Sequence, residues 1–184
     1  MDSQNRGNDM KKISAGLVAL LFLILCAGTA LAAPEPTRLV EVFRKPGVNY
    51  GGFKSIGNEV SVSIRPVGDS FYDPGDPFLR QRLAELALMA AKNQGWVAID
   101  NLSADVRISV KLTEWGRFRN KQDQNLMEFF ALEFRAYSVE SGEMILRATA
   151  RYSRVDPVEG SMEKMNEAFV SVMEEILVSL KAKG

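Results

Sequence analysis

Three groups of residues in this chain have types and spacings that could do chemistry. Residues 116–125 bring Arg117, Arg119 and Lys121 within five positions, with Phe118 among them. Cations beside an aromatic suit an acidic partner, a phosphate or a lipid headgroup, and the same stretch also reads as a solvated hairpin tip. The second group is Arg107, Lys111, Arg135, Arg147 and Arg151, which sit at alternate positions of three apolar-alternating segments. Alternation puts them on one side of a sheet, opposite its apolar side. A cationic open face of this kind can dock an anionic surface, a second subunit or an envelope polymer, or simply keep the sheet soluble. The third group is the acidic turn Asp69, Asp73, Gly75 and Asp76. It lacks the ligand run and terminal Glu of a calcium loop, so turn and helix-cap chemistry accounts for it.

The missing residue types exclude more. Histidine is absent, and Cys26 is the only cysteine. No Ser-His-Asp or Cys-His machinery can be assembled, nor a zinc site of the usual His/Cys kind. We assign no catalytic, cofactor-binding or metal-binding residue, and expect no cofactor. A hydrolase working with carboxylates alone is the remaining enzymatic alternative, though no local arrangement suggests one. Lys+Arg and Asp+Glu are both 23, which gives no global charge to announce a nucleic-acid or membrane-surface partner.

The chain opens with an export signal. Lys11 and Lys12 precede the apolar stretch from Ile13 to Cys26, and Ala30-Leu31-Ala32 forms a small-x-small cleavage site. We place cleavage after Ala32 and the start of translation at Met10, giving a periplasmic mature chain, residues 33–184. If the signal is retained, residues 13–32 are about long enough to anchor the chain in the inner membrane. Cys26 follows the bulky Leu25, whereas bacterial lipid attachment wants a small residue there, so it reads as apolar filler. Membrane attachment is thus expected only through a retained signal or a lipidated Cys26. The cleaved chain has no cysteine, which excludes a disulfide framework even in an oxidising compartment.

The elements that must hold these residues follow from periodicity. Residues 33–57 read as an extended and loop leader, with Pro34 and Pro36 at its start and four glycines between 47 and 57. Residues 58–184 read as a single domain. Val60, Val62 and Ile64 alternate with polar residues as a strand ended by Pro66. Asp76-Pro77 opens a helix whose stripe is Leu79, Leu83, Leu86, Ala87 and Ala90, and Gly95 suits its left-handed cap. Trp96-Val97-Ala98-Ile99 reads as a short buried strand.

Three long strands follow, at 104–115, 127–139 and 144–154, with residues 116–125 as a polar connection. Their inward sets include Val106 to Leu112, Phe130 to Ala136, and Met144 to Tyr152. Opposed residues in an antiparallel pair share a face. A three-residue loop, Glu140-Ser141-Gly142, opposes Phe134 to Ala148, Leu132 to Ala150 and Arg135 to Arg147, whereas a two-residue loop would mix core with surface. The last helix carries Met162, Met165, Phe169, Val172, Met173, Ile176, Leu177 and Leu180 on one stripe, with Asp156 or Ser161 as its cap. The predicted fold is α+β: a two-layer sandwich of a mostly antiparallel sheet with two amphipathic helices on one face.

This layout resembles a group of uncharacterised small bacterial envelope proteins, often lipoproteins. The resemblance rests on Gly95-Trp96, on Ser103-Ala104-Asp105-Val106-Arg107-Ile108, on the hairpin Tyr137 to Ala148 and on the closing helix. The broad layout is also similar to the TolB amino-terminal and CsgG-type domains. Leu146 stands where the group tends to have Trp. The resemblance implies no catalytic residues. Export, a compact sandwich and the lack of a catalytic constellation point to a non-enzymatic envelope module that binds a protein or anionic envelope component through the open sheet face or residues 116–125. The alternative is a small or lipidic ligand held between sheet and helices, around Phe130, Phe134, Phe169 and Met173.

Overall fold

The computed structural model describes residues 35–65, 77–119, 126–156 and 162–181. The export signal, the acidic turn, Asp76, Lys121 and Ser161 lie outside these residues. The strands are β1 (Thr37–Arg44), β2 (Ser55–Gly57), β3 (Ser61–Ile64), β4 (Val97–Ile99), β5 (Val106–Arg119), β6 (Leu126–Ser138) and β7 (Met144–Asp156). The helices are α1 (Pro77–Asn93) and α2 (Met162–Lys181), and a 3-10 turn spans Tyr50–Gly52.

One sheet of seven strands runs in the order β1-β7-β6-β5-β2-β4, with β3 pairing β5 beyond β2. The β1·β7, β7·β6 and β6·β5 pairs are antiparallel, while β2 and β3 lie parallel to β5 and β2 parallel to β4. Both helices pack on one face, so the α+β sandwich is as the periodicity requires. The parallel pair β2·β4 is joined through α1, the crossover that a parallel connection needs.

The layer between sheet and helices is filled by interlocking rings. Phe130 stacks on Tyr152 at 5.1 Å between centroids and on Trp115 at 5.7 Å, and Phe169 of α2 meets Phe130 edge-on at 6.0 Å. Phe134, Phe169, Met173, Ile176 and Leu177 have no exposed surface. A ligand between sheet and helices would have to displace these side chains, which counts against that alternative.

The structure corrects several local expectations. Residues 33–57 are more than a leader, because Thr37–Arg44 is the edge strand β1 and Ser55–Gly57 is β2. The glycines disguise β2, whose three residues are all buried. The run Trp96 to Ile99 is not a buried strand: β4 is the opposite edge, with Trp96 buried and Val97 exposed. β5 continues to Arg119, so the first four residues of the expected connection are strand. A bulge between Leu112 and Glu114 shifts the alternation, bringing Trp115 into the core and hiding the strand's continuation from a period-two reading. α2 begins at Met162, past Asp156, which ends β7 and so is not its cap.

The β6–β7 hairpin reaches the expected register by another route. Phe134 opposes Ala148, Leu132 opposes Ala150 and Arg135 opposes Arg147. The connection, however, has four residues, Val139 to Gly142, closed by Ser138 N–H to Glu143 O at 3.0 Å and Gly142 N–H to Ser138 O at 2.9 Å. A bulge at Ile145 absorbs the extra residue, turns Ile145 inward and leaves Met144 exposed rather than buried. Gly142 takes the left-handed φ of 69° that the turn needs.

Candidate functional site

The side of the sheet away from the helices is organised in rows, because opposed residues share a face. Arg107 opposes Tyr137, which opposes Met144. The next row is Ser109, Arg135, Arg147 and Phe43, and the next Lys111, Glu133, Thr149 and Glu41. Beyond it come Glu114, Ala131, Arg151 and Leu39. The five sheet cations singled out from the sequence therefore do share this face. Arg135 and Arg147 are directly opposed, an arrangement that disfavours itself unless anions intervene.

The intervening anions are few. Glu133 bonds Arg135 at 3.0 Å, and Glu41 accepts from the Thr149 hydroxyl at 3.3 Å. Hydrogen bonding to Tyr137 and then to Glu133 holds the Arg135 guanidinium above its ordinary pKa, so it is permanently charged. Arg107, Arg147 and Arg151 form no ion pair among the described residues. A shallow depression lined by Glu41, Arg65, Glu114 and Arg151 lies across the middle rows. The face carries guanidinium groups in several successive rows, at Arg107, Arg135 with Arg147, and Arg151.

Of residues 116–125, the described residues 116–119 belong to β5. Phe118 is half-exposed on the open face, opposite Met127. Arg117 points to the helix side, where its Nη2 lies 2.9 Å from Oε1 of the fully buried Glu128. The contact is close but poorly aligned, and the Glu128 carboxylate has no well-formed hydrogen bond among the described residues. Arg154 opposes Glu128 from β7, so the carboxylate sits between two arginines on neighbouring strands. Arg117 is committed to an internal charge, which an outside partner would have to break. Arg119 is the last residue of β5, and Lys121 lies outside the described residues.

Sequence reasoning missed two polar features. One is this buried Glu128, which a period-two count does place inward, on the face of Phe130 and Leu132. The other is Asp105. Its Oδ2 accepts from the Lys54 N–H, the Ser55 N–H and the Ser55 hydroxyl, each at 2.8 Å, and the Asp105 N–H donates back to the Ser55 hydroxyl at 3.0 Å. The Lys54 N–H bond is the main reason its pKa falls below 3.8, with burial opposing and Ser55 assisting. Asp105 ties the start of β2 to the start of β5, which gives the Ala-Asp-Val step of the sequence a structural job. Among the described residues no cluster of His, Cys, Asp and Glu could hold a metal.

No protein-family model and no curated protein matches the chain. Solved structures do. The PelC dodecamer from Paraburkholderia phytofirmans aligns with 16% identity over 80% of this chain and 100% of its own, at a TM-score of 0.55. This chain is similar in fold to PelC. A single-substitution form of the PelC dodecamer gives 18% identity, the same coverage and the same TM-score. Protein XCC0632 from Xanthomonas campestris, of the DUF330 family, aligns at 13% identity over 77% of this chain and 89% of its own, with a TM-score of 0.46. At these identities the likeness is one of fold.

Proposed function

We propose that this chain is an exported, non-enzymatic module of a bacterial envelope that docks an anionic envelope component through the open face of its sheet. The observation that carries this reading is the uncovered cationic ladder. Arg135 faces Arg147 directly, and Arg107, Arg147 and Arg151 have no ion pair among the described residues. Like charges held side by side cost stability, and an external anion removes that cost. The half-exposed Phe43 and Met144 at the ends of the upper rows add apolar contact to the charges. Residues 116–125, by contrast, contribute Phe118 to the face but not Arg117.

No described helix is long and apolar enough to cross a membrane. Export in this reading rests on the signal at residues 1–32, with translation starting at Met10, and inner-membrane anchoring through residues 13–32 is its alternative. The test is crosslinking in intact cells followed by affinity capture, comparing the natural chain with the Arg135→Glu/Arg147→Glu variant. A partner captured reproducibly and lost in the reversal supports the reading. Capture undiminished by the reversal overturns it.

PelC, whose structure is a dodecamer, favours a second reading in which copies of this chain assemble with one another. Sedimentation of the purified mature chain over a concentration series would show it as a species larger than a monomer. A monomer at all concentrations would remove it.

A further inference from the structure

The open face changes character along its length. The rows nearest the Ser138–Glu143 turn are cationic, as described. The rows at the other end carry no charged residue and several apolar side chains. Phe118 opposes Met127, which opposes Val155, and all three are at least partly exposed. The next row is Gly116, Phe129, Ser153 and Thr37. There the Phe129 ring lies over Gly116, so closely that a Cβ on Gly116 would meet it at 3.4 Å. The bare glycine makes room for a broad, flat aromatic surface. Leu39, exposed in the row after that, extends the patch beside Arg151.

Rows on one face are about 6.7 Å apart, so about 27 Å separates the Phe118 row from the Arg135–Arg147 row. The face is thus an amphiphile laid flat, apolar at one end and cationic at the other, with Arg151 at the seam. β1 begins at Thr37, in the Phe129 row.

We propose that this face lies against the surface of an anionic lipid bilayer. Phe118, Met127 and Phe129 enter the boundary between headgroups and acyl chains, and Arg151, Arg147 and Arg135 meet the lipid phosphates. The proposal rests on the open-face reading above and names its anionic component as lipid. The face carries Glu41, Glu114 and Glu133 as well, and the six cations Arg107, Lys111, Arg135, Arg147, Arg151 and Arg65, which lines the depression beside Glu41 and Glu114, outnumber them. A neutral bilayer would satisfy the apolar end only, so binding requires both lipid charge and apolar contact.

The test uses residues 33–184, which contain every described core residue. Sedimentation with vesicles of phosphatidylcholine containing about a third phosphatidylglycerol is compared with vesicles of phosphatidylcholine alone. Binding is expected to the anionic vesicles and to weaken as salt is raised. Arg147→Gln/Arg151→Gln should weaken it about thirtyfold, at roughly one kcal/mol for each charge near the surface. Phe118→Ser/Met127→Ser should weaken it by a comparable factor. Phe118→Trp keeps an aromatic at the patch, and its emission should shift to the blue on anionic vesicles, since Trp96 and Trp115 are already buried. No binding, equal binding to both vesicle types, or binding untouched by these variants overturns the proposal. If vesicles are not bound while Arg135→Glu/Arg147→Glu still abolishes capture in cells, the open-face reading stands and the lipid assignment falls. If capture is also unaffected, both fall.

Discussion

Replacing Asp105 by alanine should destabilise the fold by about 2–4 kcal/mol at neutral pH. The carboxylate accepts three hydrogen bonds at 2.8 Å, two of them from the backbone of Lys54 and Ser55. Bonds to a charged acceptor contribute roughly 1.5–3 kcal/mol each. The Lys54 donor is exposed and recovers a water when its partner leaves, while the Ser55 donors are partly buried and recover less. For a chain of this size the loss corresponds to a fall in Tm of about 5–12 °C. Asp105→Asn keeps an acceptor but not its charge, and should lose about half as much.

The pH dependence gives the sharper check. The folded-state pKa of Asp105 is lowered, so its contribution is fully present above the unfolded value of about 3.9 and is lost as pH falls through the folded value. Urea titrations at pH 7 and near pH 2.5 should show a wide gap between natural chain and Asp105→Ala at the first and a much narrower one at the second. A gap under about 0.5 kcal/mol at pH 7, or one that does not narrow in acid, would refute the reasoning, since neither a lost charge-assisted clamp nor proton linkage could then be at work.

Other perturbations have equally definite outcomes. Glu128→Ala leaves Arg117 without its counter-charge on the buried side and should cost about 2–4 kcal/mol, less than a fully buried pair because Arg117 keeps some access to water. The double change Glu128→Leu/Arg117→Leu should recover most of that in urea denaturation, and a double variant as unstable as both singles summed would show that the pair is not the relevant unit. Phe130→Ala removes the ring that contacts Trp115, Tyr152 and Phe169, and should cost about 3–5 kcal/mol by the same assay. Gly142→Ala should cost about 1 kcal/mol; a Cβ there meets nothing within 4 Å, so the whole effect comes from the left-handed backbone, and no loss of Tm would disprove that origin.

What was legible in the sequence was whatever a regular period writes. The core faces of β5, β6 and β7 and the stripe of α2 follow periods of 2 and 3.6, and the parity of Phe134 with Ala148 set the register before any loop was known. The places where reading failed are those where the chain breaks its own period. A bulge after Leu112 moved Trp115 inward and concealed the last third of β5. A second at Ile145 exchanged a three-residue loop for a four-residue one and turned Met144 outward. The extra loop residue and the Ile145 bulge cancel in the distant register, so the hairpin is correct at Phe134 and incorrect at its tip. β2, with only three residues among glycines, is too short to show any period at all.

The same physics governs the site. A cation's strand position says which face it takes, and that sufficed for Arg107, Lys111, Arg135, Arg147 and Arg151. It did not suffice for Arg117, because the bulge reversed the parity that would have placed it on the open face and set it opposite Glu128 on the helix side. A run of three cations within five positions looked like one binding loop, yet the strand pleat sends Arg117 to the helix side and Phe118 to the open face. Charge density along a sequence becomes charge density in space only after pleat and bulge have sorted it. Here the sorting removes a cation from the open face's apolar end and leaves Phe118, Met127 and Phe129 there without a competing charge among the described residues, the feature on which the proposed bilayer contact rests.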